Sequence, residues 1–201
     1  MNYFEIRQVS KTFTELFVFA IGNKVNLSSF TSALEKSKFI EAIENDRYDD
    51  IFNKPIKAIF STILDCAVDD VNVQGIYNDA YWAGQYYFEL FMRIKKPFSY
   101  IFLKLPLEKM MVVYDIFHEM DFSSFVEYFN KIEKEKTILR LLCERKRISI
   151  PNLSKATNIS VNTLFKYNSS DEALYKASFQ NLIKLVDYFN VPVALFKISI
   201  K

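Results

Sequence analysis

The sequence predicts an all-α protein, and three observations carry that expectation. Apolar side chains recur every three or four residues over long stretches, Gly and Pro number only 3 and 5 in 201 residues, and 20 Phe with 12 Tyr supply bulk for packing helix on helix. Half of the residues are hydrophobic, which is enough to bury a substantial core and excludes disorder on composition.

Taken in order, the opening segment 3–21 mixes aromatic and β-branched residues with helix formers and is read as a helix. Helices follow at 29–43 and 55–66. Trp82, Tyr86, Leu90 and Ile94 then repeat every fourth residue with Tyr87 and Phe91 beside them, an apolar stripe on a helix ending near Lys95 and Lys96. Beyond Lys96 and Pro97 lie a short apolar segment, 98–103, and a helix at 106–118. That run could form a helical hairpin of helix-turn-helix type, but ordinary helix packing accounts for it. Ser124 and Glu127 have capping-box spacing, Asp121 offers another cap, and Phe125, Phe129 and Ile132 recur at helical intervals, so a further helix is expected there. The charge run 131–136 contains no Pro or Gly and reads as its helical continuation.

Charge divides the chain. Residues 131–201 hold 13 Lys plus Arg against 6 Asp plus Glu, and residues 1–130 hold 13 against 18, although the whole carries only +2. Such asymmetry is expected when one part meets a polyanion and the other does not. The expected organisation is an acidic, aromatic-rich helical domain over 1–130, serving dimerisation or partner binding, and a basic domain over 131–201.

Within the basic part, a helix from about Lys136 to Lys146 buries Ile138, Leu139, Leu142 and Cys143, with Arg145, Lys146 and Arg147 near its C-terminus, where cations complement the helix dipole. Ser149 caps a second helix, Pro151 lies in its first turn, and Leu153 points inward. Asn158 stands at the sharp turn, where it tolerates the left-handed conformation better than most residues. Ile159 plugs the core and Ser160 caps a third helix. Leu164 and Tyr167 face inward at a three-residue spacing, leaving Val161, Asn162, Phe165 and Lys166 outward.

Together Ile148-Ser149, Leu153, Asn158-Ile159-Ser160, Thr163-Leu164 and Tyr167, followed by Ser178-Phe179, Leu182, Leu185, Asn190-Val191 and Leu195-Phe196, form a pattern. It resembles the phage lambda repressor-like, XRE-type helix-turn-helix family over the final third of the chain. The resemblance implies a five-helix DNA-binding domain in which the helix opened by Ser160 is the recognition helix. It further implies that Val161, Asn162 and Lys166 reach base edges, with Asn162 suited to adenine, Lys166 to guanine and Val161 to a thymine methyl. Phosphate contacts are expected from Ser149 and Asn152, from Ser160 and Thr163, from Ser169 after the third helix, and from Lys176 beyond it. Lys146, Arg147 and Lys155 would add attraction. The chain departs from the family at Ile150, where Gln is common, and at Asp171 and Glu172, which would repel DNA if they faced it.

One such domain buries too little surface for tight specific binding, so a homodimer reading half-sites ~34 Å apart is expected. The implied function is a dimeric regulator of transcription, a repressor, with double-stranded DNA as partner. The alternative is a factor of antitoxin or phage and mobile-element type that inhibits another protein through the N-terminal domain. The segment from Tyr81-Trp82-Ala83-Gly84 to His118-Glu119-Met120-Asp121 loosely resembles the N-terminal part of bacterial proteins with a similar C-terminal helix-turn-helix, some of which sit on mobile elements beside toxin-like genes.

Chemistry is not expected. His118-Glu119-Met120-Asp121 lacks the second His a metalloprotease needs, and His118 is the only His in the chain. Asp46, Asp49, Asp50, Asp69 and Asp70 lack the Gly-bearing calcium loop, and neither a phosphate-cradling glycine loop nor a Gly-x-Ser-x-Gly elbow is present. No catalytic residue, metal or cofactor follows, and Trp82 with the Tyr stripe reads as core. Cys66 and Cys143 stand far apart without further ligands and are expected to be buried, unpaired thiols. No stretch approaches ~18 apolar residues, and the apolar run 16–21 lacks the flanks of a signal peptide, so a cytoplasmic location without a membrane partner is expected.

Overall fold

Val9, Phe13, Leu16, Phe17 and Ala20 have no exposed surface and fall on one stripe of the first helix, α1 (Tyr3–Gly22). The computed structural model describes residues 3–47, 54–66 and 78–196, so Asp49, Asp50, Asp69 and Asp70 lie outside it. Every regular element among the described residues is helical. After α1 come α2 (Leu27–Leu34), α3 (Lys38–Glu44), α4 (Ile56–Leu64), α5 (Asn78–Ile94), α6 (Phe98–Lys104), α7 (Leu107–Val112), α8 (Tyr114–Phe117) and α9 (Phe122–Ile132). They are followed by α10 (Ile138–Lys146), α11 (Ile150–Thr157), α12 (Val161–Ser169), α13 (Asp171–Tyr175), α14 (Phe179–Phe189) and a 3₁₀ turn, Val193–Phe196.

The chain divides into two compact units, Met1–Phe102 with Pro106–Val126, and Leu103–Leu105 with Glu127–Lys201. In the first unit, α1 and α5 approach backbone to backbone. A methyl group on Gly84 would stand 2.7 Å from the Cα of Thr14, so only glycine fits there. Around this contact the Phe13 ring lies 5.2 Å from Phe17, 5.8 Å from Phe88 and 4.7 Å from Phe98, tilted or offset as ring quadrupoles prefer. A second aromatic cluster places Trp82 4.3 Å from Tyr86 and 5.6 Å from Phe125. Trp82 is thus a core residue. α3 also supplies a cap to another helix: Glu44 Oε1 accepts the Phe98 N–H at 2.7 Å at the start of α6, and burial holds this carboxyl above its ordinary range.

Several expected boundaries shift for local reasons. The single helix expected over 29–43 is two, because Ser37 Oγ donates to Leu34 O at 2.7 Å and accepts the Ile40 N–H at 3.2 Å, closing one helix and opening the next. α2 begins earlier, where Asn26 Oδ1 takes the Ser29 N–H at 2.9 Å. The helix expected over 106–118 tightens at Val113, whose carbonyl accepts from both Ile116 and Phe117 at 3.1 Å, and so divides into α7 and α8. The apolar segment 98–103 is helical, as α6. α9 starts at Phe122, directly after Asp121, so Ser124 and Glu127 lie inside it and form no capping box. The run expected to continue this helix does not: α9 stops at Ile132 and residues 133–136 form turns and a bend. Cys66 is exposed rather than buried, whereas Cys143 is buried.

Among the described residues seven non-glycine positions adopt positive φ, between 52° and 55°: Lys24, Asp46, Asp65, Lys95, Arg147, Asn158 and Asn190. Each follows a helix and turns the chain out of it, the role that glycine fills in most proteins. Gly84→Ala is expected to destabilise the protein by about 1–3 kcal/mol through overpacking, measured as a lower denaturant midpoint. An unchanged midpoint would show that α1 and α5 can part at little cost.

Candidate nucleic-acid interface

α11 and α12 are two short helices joined by residues 158–160, and each end of that junction has a local cause. Asn158 leaves α11 with φ 52° and ψ 41°, Ile159 is 3% exposed, and the Ser160 side chain accepts the Thr163 N–H at 3.1 Å to open α12. Ser154 Oγ donates to Ile159 O at 2.6 Å and Lys184 Nζ to Asn158 O at 3.2 Å, so the carbonyls of the turn are satisfied.

α12 is held from behind. Leu164 and Tyr167 are buried, and the Tyr167 hydroxyl accepts from Asn181 Nδ2 at 3.2 Å. Near its C-terminal end, Asn168 O accepts from Thr137 Oγ1 at 2.9 Å, while Thr137 also caps α10 by taking the Arg140 N–H. The opposite face, Val161, Asn162, Phe165 and Lys166, is exposed.

The other expected contacts fall into two groups. Ser149 and Asn152 are exposed at the start of α11, Ser149 makes no side-chain cap bond, and Ile150 is half-buried. The first-turn N–H groups there have no intrahelical partner. Arg147, Lys155 and Lys166 are exposed and make no ion pair with the described residues. The remaining side chains are engaged. Ser160 Oγ and Thr163 Oγ1 lie 2.7 Å apart, Ser169 is the last residue of α12 and donates to Lys166 O at 2.8 Å, and Lys176 pairs with Glu172 at 2.5 Å. The Lys146 ammonium donates to Tyr188 O and sits 4.7 Å over the Tyr188 ring.

Asp171 does not face outward as a free charge. Its Oδ1 takes the Ile138 N–H at 2.6 Å and its Oδ2 meets Lys104 Nζ at 3.3 Å. The Lys104 side chain is 1% exposed and donates as well to Glu133 O at 2.8 Å and Lys136 O at 2.5 Å. Those last two bonds hold the turn that ends α9. In the sequence the only signal of Lys104 is one charge inside the apolar run Phe98-Ser99-Tyr100-Ile101-Phe102-Leu103-Lys104-Leu105. The paired Glu144 is exposed, between Lys136 at 2.7 Å and Arg140 at 3.3 Å, and the Lys136 bond holds its carboxyl below the usual range.

From Arg145 to Ser170 the chain carries five cations and no Asp or Glu, and that stretch includes the whole of α11 and α12. His118, exposed, stacks 4.6 Å from Tyr114, and among the described residues no group of three or more His, Cys, Asp or Glu stands ready to hold a metal. No helix among them is long and apolar enough to cross a membrane. No protein-family model, curated protein or solved structure matches the chain.

Two expectations follow from this geometry. Lys104→Met leaves Asp171 and two carbonyls without their donor and should destabilise the C-terminal unit by about 3–5 kcal/mol, read from amide exchange in α10 and α13. The double variant with Asp171→Asn should lose less, since it removes the stranded charge; an equal or larger loss would contradict the pairing. Separately, burial, assisted by Glu144, pushes the Cys143 thiol up to about 11, so at pH 8 it stays protonated. Iodoacetamide with mass-spectrometric readout should therefore label Cys66 in the native protein well before Cys143.

Proposed function

We propose that residues 137–196 form a lambda repressor-like helix-turn-helix domain, and that the protein is a cytoplasmic, dimeric, sequence-specific DNA-binding regulator of repressor type. The observation that carries this reading is the outward face of α12. Val161, Asn162 and Lys166 are exposed on a helix whose other face is pinned by Leu164 and Tyr167, within a stretch free of acidic residues. A helix supported in this way can enter a major groove without rearranging its own unit.

In that pose Asn162 presents a donor and acceptor to adenine N6 and N7, Lys166 donates to guanine O6 or N7, and Val161 meets a thymine methyl. The start of α11 offers the Asn152 N–H and the Ser149 hydroxyl to one phosphate, and Arg147 and Lys155 supply attraction that salt screens. Asp171 and Glu172, each paired to a lysine, weigh little against binding.

A second reading has one observation in its favour. Val112, Ile116 and Met120 are 75%, 60% and 49% exposed at a four-residue spacing on α7, α8 and the turn beyond, a feature that suits a partner-binding role for the first unit.

Selection from random duplexes should enrich one sequence class. On the selected site Asn162→Ala is expected to cost ~1–3 kcal/mol and relax preference at one base pair. Lys155→Ala should weaken all sequences alike and lower the salt slope by about 1. Enrichment of nothing would overturn the reading.

A further inference from the structure

We propose that Phe165, together with Val161, forms an apolar surface that receives thymine C5-methyl groups, which makes Phe165 a specificity-determining residue and the recognised site thymine-dependent. This rests on the DNA-binding reading above and names what that face selects.

Phe165 is 52% exposed and Val161 36% exposed, one helical turn apart on the outward face of α12. The buried face of the helix is formed by Leu164 and Tyr167, and much of the Phe165 ring is left to solvent. The polar vocabulary of the face is small. Ser160 and Thr163 hydroxyls bond each other, Ser169 bonds the backbone of its own helix, and Asn162 and Lys166 are left as outward polar readers on a helix without Arg. Two side chains with such donors cannot by themselves select an extended site.

The floor of the major groove offers one apolar group, the C5-methyl of thymine. An exposed ring brought into the groove either meets that methyl or leaves both surfaces poorly solvated. Residues one turn apart are separated by roughly 6 Å along the helix, which spans about two base-pair steps of 3.4 Å, so Val161 and Phe165 can address thymines at neighbouring positions. The apolar surface stops at Val161 and Phe165, since Asn162, Lys166 and Ser169 around it are polar, and this is small for a protein-docking patch.

The test uses the full-length protein and the duplex recovered by random selection, with each thymine replaced in turn by deoxyuridine, which removes only the methyl. Binding should weaken roughly fourfold at one or two positions, the equivalent of one lost buried carbon. Phe165→Ala should weaken binding to the thymine duplex and abolish the loss at one of those positions. Its affinity for the corresponding deoxyuridine duplex should match that of the unaltered protein, closing a double-mutant cycle. Phe165→Leu should keep part of the discrimination, and unchanged circular dichroism with unchanged nonspecific affinity would establish that the variants are folded. Tight selective binding with no deoxyuridine effect, or with an effect that survives Phe165→Ala, overturns this inference while leaving the DNA-binding reading intact. Retained discrimination with lost self-association would assign the ring to a protein contact and overturn it equally. Failure of every duplex to bind overturns both.

Discussion

An ammonium group taken out of water must be surrounded by oxygen, and this requirement organises the C-terminal unit around Lys104. Among its acceptors are the Glu133 carbonyl just past α9, the Lys136 carbonyl in the turn before α10 and the carboxylate of the first residue of α13. Because Asp171 uses its other oxygen on the Ile138 N–H, the same node fixes where α10 begins. One residue before α10, Thr137 reaches Asn168 near the end of α12. The proposed reading helix is therefore tied, through two hydrogen-bonded links, to a charge that the solvent barely touches. Pairing of this kind adds little net stability over an apolar substitute, but it leaves few alternative arrangements in which the charge is satisfied.

The first unit is governed by a different constraint. Close approach of α1 and α5 at Gly84 leaves room for large rings on either side and none for a side chain at the crossing. Phe13 and Phe17 fill the space around it, and Trp82 and Tyr86 anchor a second cluster against Phe125. The abundance of aromatic residues beside so little glycine is the compositional trace of this packing.

Features with a fixed period were legible in the sequence. The helical class followed from the spacing of apolar residues, the inward positions of Leu164 and Tyr167 followed from their interval, and the left-handed turn at Asn158 followed from its residue type. What was missed depends on single hydrogen bonds or on partners distant in sequence. Ser37 divides one expected helix by competing for backbone groups, and no periodicity marks that choice. The run 131–136 has helix-forming composition throughout, yet a lysine about thirty positions earlier claims its carbonyls. Asp171 looked like a source of repulsion because its partner could not be seen. The expected phosphate contacts split for the same reason: Ser160 and Thr163 bond each other, and Lys146 meets Tyr188, far along the chain, and residue type alone reveals neither.

The left-handed residues at the helix ends carry a consequence for tolerance to heat. A side chain in that conformation costs roughly 1–2 kcal/mol, less for asparagine, and glycine relieves most of it. Lys24, Lys95 and Arg147 hold such positions without the advantage that asparagine and aspartate share. The chain thus carries distributed strain at the ends of helices other than α12. That reserve leaves headroom for selection or engineering to raise the melting temperature by exchanging helix-terminating residues, without altering any side chain proposed to touch a base.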